Sequence, residues 1–329
     1  MKAAWFESFG AAADTLRIGE QPKPVPGPGE VLVRVATSGV NPSDVKKRAG
    51  AFPQLLDEGL VIPHSDGAGV VEAVGPGVAE TRLGERVWLY QAQYGRRFGT
   101  AAAYVAIDSK RAAPLPGNTD FPVGACLGIP AMTAHRCVFA DGDVRGQRLL
   151  VTGGAGRVGH YAIQWASRGG AAVVATASSA ADRRSCLDAG ADAVVNHRHD
   201  DWSSEVLQAT GGHRIDRVID VEFGANLPEV LKLMRIGGVI ATYSSTQVAK
   251  PVLPFRDMMF MDLTLRLVIV YAMPEAAKEQ AIADINLALA EDRLQHRIAH
   301  RLPLDEIARG HELIEQGGFR GCVVLTLDR

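Results

Sequence analysis

The chain has 329 residues, of which 47% are hydrophobic and 22% charged, with 35 glycines and a formal net charge of −2. A chain of this size and composition can bury two domain cores, and it is neither a disordered nor a fibrous protein. The near-neutral charge provides no surplus of basic side chains against a phosphate backbone, so nucleic acid is not expected as a partner.

In chain order, the first segment, MKAAWFESFG, places Glu7 where a signal peptide needs an unbroken apolar stretch, and a cytoplasmic location is expected. EVLVRVA (30–36) alternates like a half-buried strand, with the turn clusters PKPVPGPGE before it and SGVNPSD after it. GAGVVEAV (67–74) and ERVWLY (85–90) are further short strands, which together suggest a small barrel-like or sandwich domain. A helix is expected over 121–139. From residue 148 the pattern alternates strand and helix: RLLVTG, a helix over 157–168 with Val158, Tyr161, Ala162 and Trp165 on one face, then AAVVATAS, DAVVNH, RVIDVE and GGVIATYS. Uninterrupted apolar strands separated by amphipathic helices point to a parallel sheet covered on both faces. LTLRLVIVY (263–271) is expected as a sixth strand. It is too short to span a membrane and carries Arg266. Two helical stretches and a last strand, CVVLTL, complete the chain. Cys126, Cys137, Cys186 and Cys322 have neither metal-knuckle nor CxxC spacing and read as reduced, buried thiols.

Gly154, Gly156 and Gly159 form GxGxxG directly after the strand RLLVTG and at the start of a helix, the context that makes this motif informative. Gly154 is expected to permit the tight turn, Gly156 to let the backbone approach a pyrophosphate, and Gly159 to let the helix pack close to the sheet. The helix N-terminus offers N–H groups and partial positive charge to the diphosphate. The second strand ends in Thr176, Ala177 and Ser178, with no Asp or Glu to accept from a ribose 2′-hydroxyl. Arg183 and Arg184 follow in SSAADRR. They suit a 2′-phosphate, although a solvated helix face would also contain them. Ser179 and Asp182 fit a capping box, which would turn that carboxylate toward the backbone. The segment therefore favours NADPH over NADH.

These motifs resemble the medium-chain dehydrogenase/reductase superfamily, and within it the zinc-free quinone oxidoreductase branch that includes zeta-crystallin. SGVNPSDVKKRAG is similar to the NPxxxxxRxG segment, GIPAMTAH to GIPxxTAY, and GGAGRVGHYAIQWA to the cofactor loop; PHSDGAGVVEAVGPGV and AGADAVVNHR match two further segments. The resemblance implies a Rossmann doubly wound parallel sheet plus a β-rich GroES-like barrel domain. The Rossmann domain would span 121–270, and the GroES-like domain 1–120 and 271–329. The zinc-dependent alcohol dehydrogenases of the superfamily use a Cys where this chain has Asn41, His and Glu where it has Ser65 and Asp66, and a Cys where it has Ile129. No metal is expected, and His64, one residue early, reads as a loop histidine.

Residue by residue, the resemblance implies that Asn41 and Thr133 lie near the nicotinamide. Gly154, Ala155, Gly156, Arg157 and Val158 would form the pyrophosphate turn. Ser178 and Arg183, with Arg184, would face the ribose phosphate, and His197 the adenosine. Tyr243, Ser244 and Ser245 would follow the fifth strand. Leu267, Val268 and Ile269 would line the nicotinamide end. Lys46, Arg157 and Cys322 depart from the family pattern, which has Tyr, Gly and Lys there. Asn41 or Lys46 would stabilise the oxygens of the substrate, although Lys46 lies in a KKR run that a solvated face also explains. The expected activity is NADPH-dependent hydride transfer to a quinone. Alternatives are reduction of α,β-unsaturated aldehydes, ketones or acyl thioesters, and a non-catalytic, structural or RNA-associated NADPH-binding role. A homodimer joined through sheet edges is expected.

Overall fold

The computed structural model describes residues 1–327. Seven strands come first: β1 (Lys2–Trp5), β2 (Arg17–Glu20), β3 (Glu30–Val40), β4 (Asp66–Val74), β5 (Arg86–Leu89), β6 (Tyr104–Asp108) and β7 (Ala112–Pro114). Six follow in the middle: β8 (Arg148–Val151), β9 (Ala172–Thr176), β10 (Ala193–Val195), β11 (Ile215–Asp220), β12 (Met234–Thr242) and β13 (Thr264–Leu267). β14 (Ile298–Pro303) and β15 (Cys322–Thr326) come last. The chain divides into two compact units, Met1–Ile129 with Ile282–Arg329, and Pro130–Ala281.

The first unit is the β-rich, GroES-like one. Its larger sheet has the order β14-β15-β3-β4-β5-β7, with β6 also paired to β3. β3 is long because it changes partner along its length: Glu30–Arg34 pair with β6, whereas Thr37–Val40 pair with β15. The half-buried alternation expected for 30–36 is only partly realised. Val31, Leu32 and Val33 are all buried, because the strand lies inside the sheet and is covered on both faces. Val31, Val33, Val35, Val71, Val87, Leu89, Val105 and Ile107 form one core of this unit. Burial of each such side chain stabilises the fold by roughly 1.5–3 kcal/mol.

The second unit is a six-stranded sheet of order β10-β9-β8-β11-β12-β13. Every pair in it is parallel. Counted from β8, the order is 3-2-1-4-5-6, the doubly wound arrangement that reverses direction beside its first strand. The helix Arg157–Arg168 has the expected bounds. It is buried on more than one face, with His160, Ile163, Gln164 and Ala166 inside as well as Tyr161, Ala162 and Trp165.

The structure corrects three expectations. The helix expected over 121–139 is interrupted: Phe121–Gly124 is α-helical, Leu127–Ala131 opens into a π-turn containing Pro130, and Met132–Phe139 resumes the α-helix. Pro130 has no N–H to donate and so disrupts the i→i−4 ladder. The boundary between the units falls inside this π-turn, after Ile129, rather than at 120. On the return it falls after Ala281 rather than at 270. Gly124 packs against Ala68 and Trp88 of the β-rich unit, which explains why the first part of the helix stays with that unit. LTLRLVIVY forms a strand only over Thr264–Leu267, and a 3-10 turn over Val270–Ala272 follows. No helix among the described residues is long and apolar enough to cross a membrane. None of the four cysteines is in a disulfide, and all are buried.

Candidate functional site

In the doubly wound unit, β9, β11 and β12 end at their carboxyl ends on the polar residues Thr176, Asp220 and Thr242, and Thr152 directly follows β8. These residues hold the glycine turn. Thr176 Oγ1 accepts from Gly153 N at 3.0 Å, and its carbonyl accepts from Gly154 N at 3.0 Å. Thr152 Oγ1 donates to Asp220 Oδ1 at 2.6 Å, and the same oxygen accepts from Glu222 N and Asn226 Nδ2. Asp220 Oδ2 is buried without a hydrogen-bond partner, and burial raises the carboxyl above its ordinary pKa. Sequence reasoning missed these four residues. The signal was available: apolar strands that each close on, or lead directly into, Thr or Asp.

The three glycines divide their roles differently from the expectation. The left-handed residue of the turn is Gly153, at φ +60°, which takes the turn-forming role expected of Gly154. A Cβ on Gly154 would stand 2.9 Å from Ala175, Cys186 and Ile163 side-chain atoms, so its role is close packing. A Cβ on Gly159 would strike the carbonyl of Gly153 and come within 2.9 Å of Gly154 Cα, which brings the helix hard against the turn. A Cβ on Gly156 would meet only Gly153 O, at 3.1 Å, and would otherwise enter open space. Gly156 is the N-cap of the helix Arg157–Arg168, and first-turn N–H groups have no carbonyl four residues back. An open cradle at a helix N-terminus, beside the strand-order reversal, fits a dinucleotide diphosphate.

Around the turn, Ala155 is buried, whereas Arg157 and Val158 are half-buried. Burial pushes the Tyr243 phenol well above its ordinary pKa, and the nearby Arg157 pulls it the other way. Ser244 O accepts from Phe223 N, and Ser245 Oγ accepts from Gly224 N and donates to Val248 O. Ser179 caps its helix by accepting from Asp182 N at 3.1 Å, the first half of the expected capping box. Arg183 is exposed and donates to Val194 O, whereas Arg184 pairs with Asp188 at 2.9 Å. The parallel register ends at Val195↔Thr176; two residues beyond it His197 is exposed and Ser178 is half-buried. Thr133 and Val268 are buried, and Leu267 and Ile269 are 72% and 56% exposed.

In the β-rich unit, three of the four residues at the positions compared with zinc ligands meet. Asp66 Oδ2 accepts from Asn41 Nδ2 at 2.9 Å and from Ile129 N at 2.8 Å. Asn41 N donates to Asp44 Oδ2 at 2.8 Å, tying the start of the helix Pro42–Arg48. Burial raises the Asp66 carboxyl to about 8 and the Asp44 carboxyl to about 6. His64 lies, as expected, in a loop, just before β4. It is fully buried at φ +79°, with Nδ1 2.8 Å from Ser38 Oγ and Nε2 3.0 Å from His311 Nε2. Burial lowers its pKa to about 3. Lys46 is exposed. Its neighbour Lys47 is the buried lysine, donating to Gln93 O at 2.6 Å, and burial lowers its pKa. Adjacent lysines in a KKR run are indistinguishable by residue type; only the buried face of the helix separates them.

A zinc ion does not fit this donor set. Asn41 and Ile129 direct N–H groups at Asp66, and both ring nitrogens of His64 are engaged. Among the described residues no group of three His, Cys, Asp or Glu side chains is arranged to hold a metal ion.

A glycine turn at the reversal point of a doubly wound sheet, in a chain whose other unit is β-rich, defines an oxidoreductase of the dinucleotide-binding class. Two sequence families match: "Alcohol dehydrogenase GroES-like domain" over residues 27–117 and "Zinc-binding dehydrogenase" over residues 158–286. Asn41, Ser65, Asp66 and Ile129 all lie outside the second match. The chain is 31% identical to human quinone oxidoreductase, over 92% of this chain and 91% of that protein. The structure of an NAD-dependent alcohol dehydrogenase superposes with a TM-score of 0.87 at 30% identity, covering 100% of both chains. A mycobacterial protein complexed with NADPH superposes at 0.86 with 28% identity, covering 99% of this chain and 100% of that one. The chain belongs to the medium-chain dehydrogenase/reductase superfamily, in its quinone oxidoreductase branch.

Proposed function

We propose that the chain is a zinc-independent reductase that uses NADPH to deliver a hydride to a quinone. The observation that carries the reading is the donor set around Asp66. Two N–H groups engage Asp66 Oδ2, and the unpartnered Oδ1 alone is too small a donor set to ligate a cation. An acceptor reduced without a Lewis acid must spread the incoming charge itself, and a quinone does so over its ring and oxygens. NADPH, when bound, supplies the hydride. The protein's task is positioning. Ala155, Gly156, Arg157 and Val158 hold the diphosphate at the glycine turn. Ser178, Arg183 and Arg184 take the 2′-phosphate, and His197 flanks the adenosine. Thr133, Tyr243, Ser244, Ser245, Leu267, Val268 and Ile269 serve the nicotinamide end. Asn41, with Lys46, assists at the oxygens of the substrate, and protons come from water. Similarity extends both to an NAD-dependent and to an NADPH-complexed structure. The preference for NADPH therefore rests on the two arginines and on the absence of a carboxylate at 176–178.

The test is NADPH oxidation with 1,4-benzoquinone against a panel of enals, enones and enoyl thioesters. The expected result is the highest kcat/KM with the quinone. A higher value with an enone or enoyl thioester reassigns the enzyme to conjugated-carbonyl reduction. NADPH binding without turnover on any of them makes it a non-catalytic NADPH-binding protein. One zinc per chain by elemental analysis, with activity lost on chelation, overturns the zinc-independent part.

We infer that the working form is a homodimer. β13 is an edge of its sheet. Its last residue, Leu267, is 72% exposed, and Phe255 and Phe260, in the helix that precedes it in the chain, are 73% and 68% exposed. An apolar sheet edge invites strand pairing unless it is covered, and a second copy would cover it symmetrically.

A further inference from the structure

Asp66 is anchored through its main chain as well as its side chain, and the anchor has a determined direction. Thr100 Oγ1 lies 2.6 Å from the Asp66 carbonyl, which only accepts, so the Thr100 proton is directed there. Thr100 must then accept from Ser38 Oγ, 2.7 Å away. Ser38, its proton used, accepts from His64 Nδ1–H at 2.8 Å. Neutral His64 therefore has a bare Nε2 and accepts from His311 Nε2–H at 3.0 Å. Each proton in this buried chain has one destination, and the chain ends on the residue that opens β4.

The side chain is equally constrained. Asp66 is fully buried, and Gly128 packs so tightly on Oδ1 that a Cβ there would collide with it. Oδ1 hydrogen-bonds nothing, whereas Oδ2 takes both donated bonds. The neutral acid therefore carries its proton on Oδ1. Burial favours that neutral form, opposed by Asn41, Ile129 N–H and Lys47 and aided by Asp44. Asn41 has two amide rotamers. In the flipped one its oxygen would face Asp66 Oδ2, so the acid proton would have to move to Oδ2, which as a hydroxyl oxygen is a poorer acceptor for Ile129 N–H. In the observed one Nδ2 gives one proton to Asp66 and has a second to offer.

We propose that Asp66 is a positioning residue: it holds the Asn41 carboxamide in one flip, so that the second Nδ2–H is presented as a donor to a carbonyl oxygen of the bound reactants. This rests on the reading of Asn41 as a residue of the nicotinamide and substrate end.

The test is a mutant cycle read by kcat/KM with quinone, using Asn41→Ala, Asp66→Asn, Asp66→Val and the double variants with Asn41→Ala. Asp66→Asn mimics the neutral acid, since its carbonyl accepts both N–H groups, and it retains activity within about threefold. Asp66→Val frees the flip and lowers kcat/KM about tenfold or more, the scale of one charge-independent to charge-assisted hydrogen bond. In the Asn41→Ala background the same substitution has no further effect. Should Asp66→Val fail to fold, as judged by circular dichroism, Asp66→Ala replaces it in the cycle. Losses that add in the double variant, or an Asp66→Asn enzyme no better than Asp66→Val, overturn the proposal while leaving the role of Asn41 standing. If Asn41→Ala alone is silent, the reading of Asn41 fails and this inference falls with it.

Discussion

Gly156 and Gly159 belong to one turn, yet a methyl group added to each should cause a different failure. Gly156 has φ −70° and ψ 172°, a conformation alanine adopts freely, and a Cβ there meets only Gly153 O at 3.1 Å. The stability cost of Gly156→Ala is then little more than the poorer N-cap, at most about 1 kcal/mol. The new methyl does, however, fill the cradle through which a diphosphate would reach the backbone. Loss of one charge-assisted hydrogen bond, roughly 1.5–3 kcal/mol, raises the NADPH dissociation constant about 10- to 150-fold. Gly159→Ala meets main-chain atoms of Gly153 and Gly154 that cannot rotate away. The helix must shift, at about 1–3 kcal/mol for overpacking, or about 2–4 °C in Tm per kcal/mol for a unit of this size. The assays are NADPH titration by fluorescence and thermal melting without cofactor. Gly156→Ala that keeps its NADPH affinity within about twofold, or that melts as early as Gly159→Ala, would refute the assignment of Gly156 as the open face of the site.

Arg183→Ala with Arg184→Ala should weaken NADPH binding about 10- to 150-fold while leaving NADH nearly unchanged; equal losses for both cofactors would show that these arginines do not read the 2′-phosphate. Stability should depend on pH through two buried groups of opposite sign. His64, neutral down to about 3 against an ordinary 6.5, contributes fully above 6.5 and loses that contribution as pH falls toward 3. Asp66, protonated up to about 8 against 3.8, contributes fully below 3.8 and loses that contribution as pH rises to 8. Asp66→Asn should therefore gain on the wild type between pH 6.5 and 8 by at most about 1.4 kcal/mol per pH unit, and a constant difference in thermal melts across that range contradicts a neutral Asp66. Light scattering should give about twice 35.1 kDa for the wild type and about one chain mass for Leu267→Asp; a wild-type monomer at micromolar concentration ends the dimer reading.

Local chemistry made much of the doubly wound unit legible from the residues alone. Apolar strands alternating with a 3.6-period helix can only be a sheet covered on both sides, and GxGxxG after the first of them marks the turn. The bounds of the helix Arg157–Arg168 follow from its glycine N-cap and the Gly169-Gly170 pair that ends it. What the pattern could not assign was the work of each glycine. A positive φ at Gly153 and a collision at Gly159 depend on which backbone atoms lie opposite, not on spacing. The break at Pro130 was readable in principle, but whether a proline kinks, ends or merely opens a helix depends on what packs around it.

The β-rich unit shows the sharper division. Composition, resemblance and motif order identified Asn41, Asp66 and Ile129 as residues that replace a ligand set. Only the tertiary structure showed that they bind one another, because their contacts join segments 25 and 63 residues apart. Long-range closure also decided which of Lys46 and Lys47 is buried, and it set the loop residue His64 in the middle of a buried hydrogen-bonded chain reaching His311, 247 residues away. Sequence encodes the residue types and the local period. The electrostatic state of a side chain is set by what surrounds it once water has been excluded, and that is decided only when distant segments pack together.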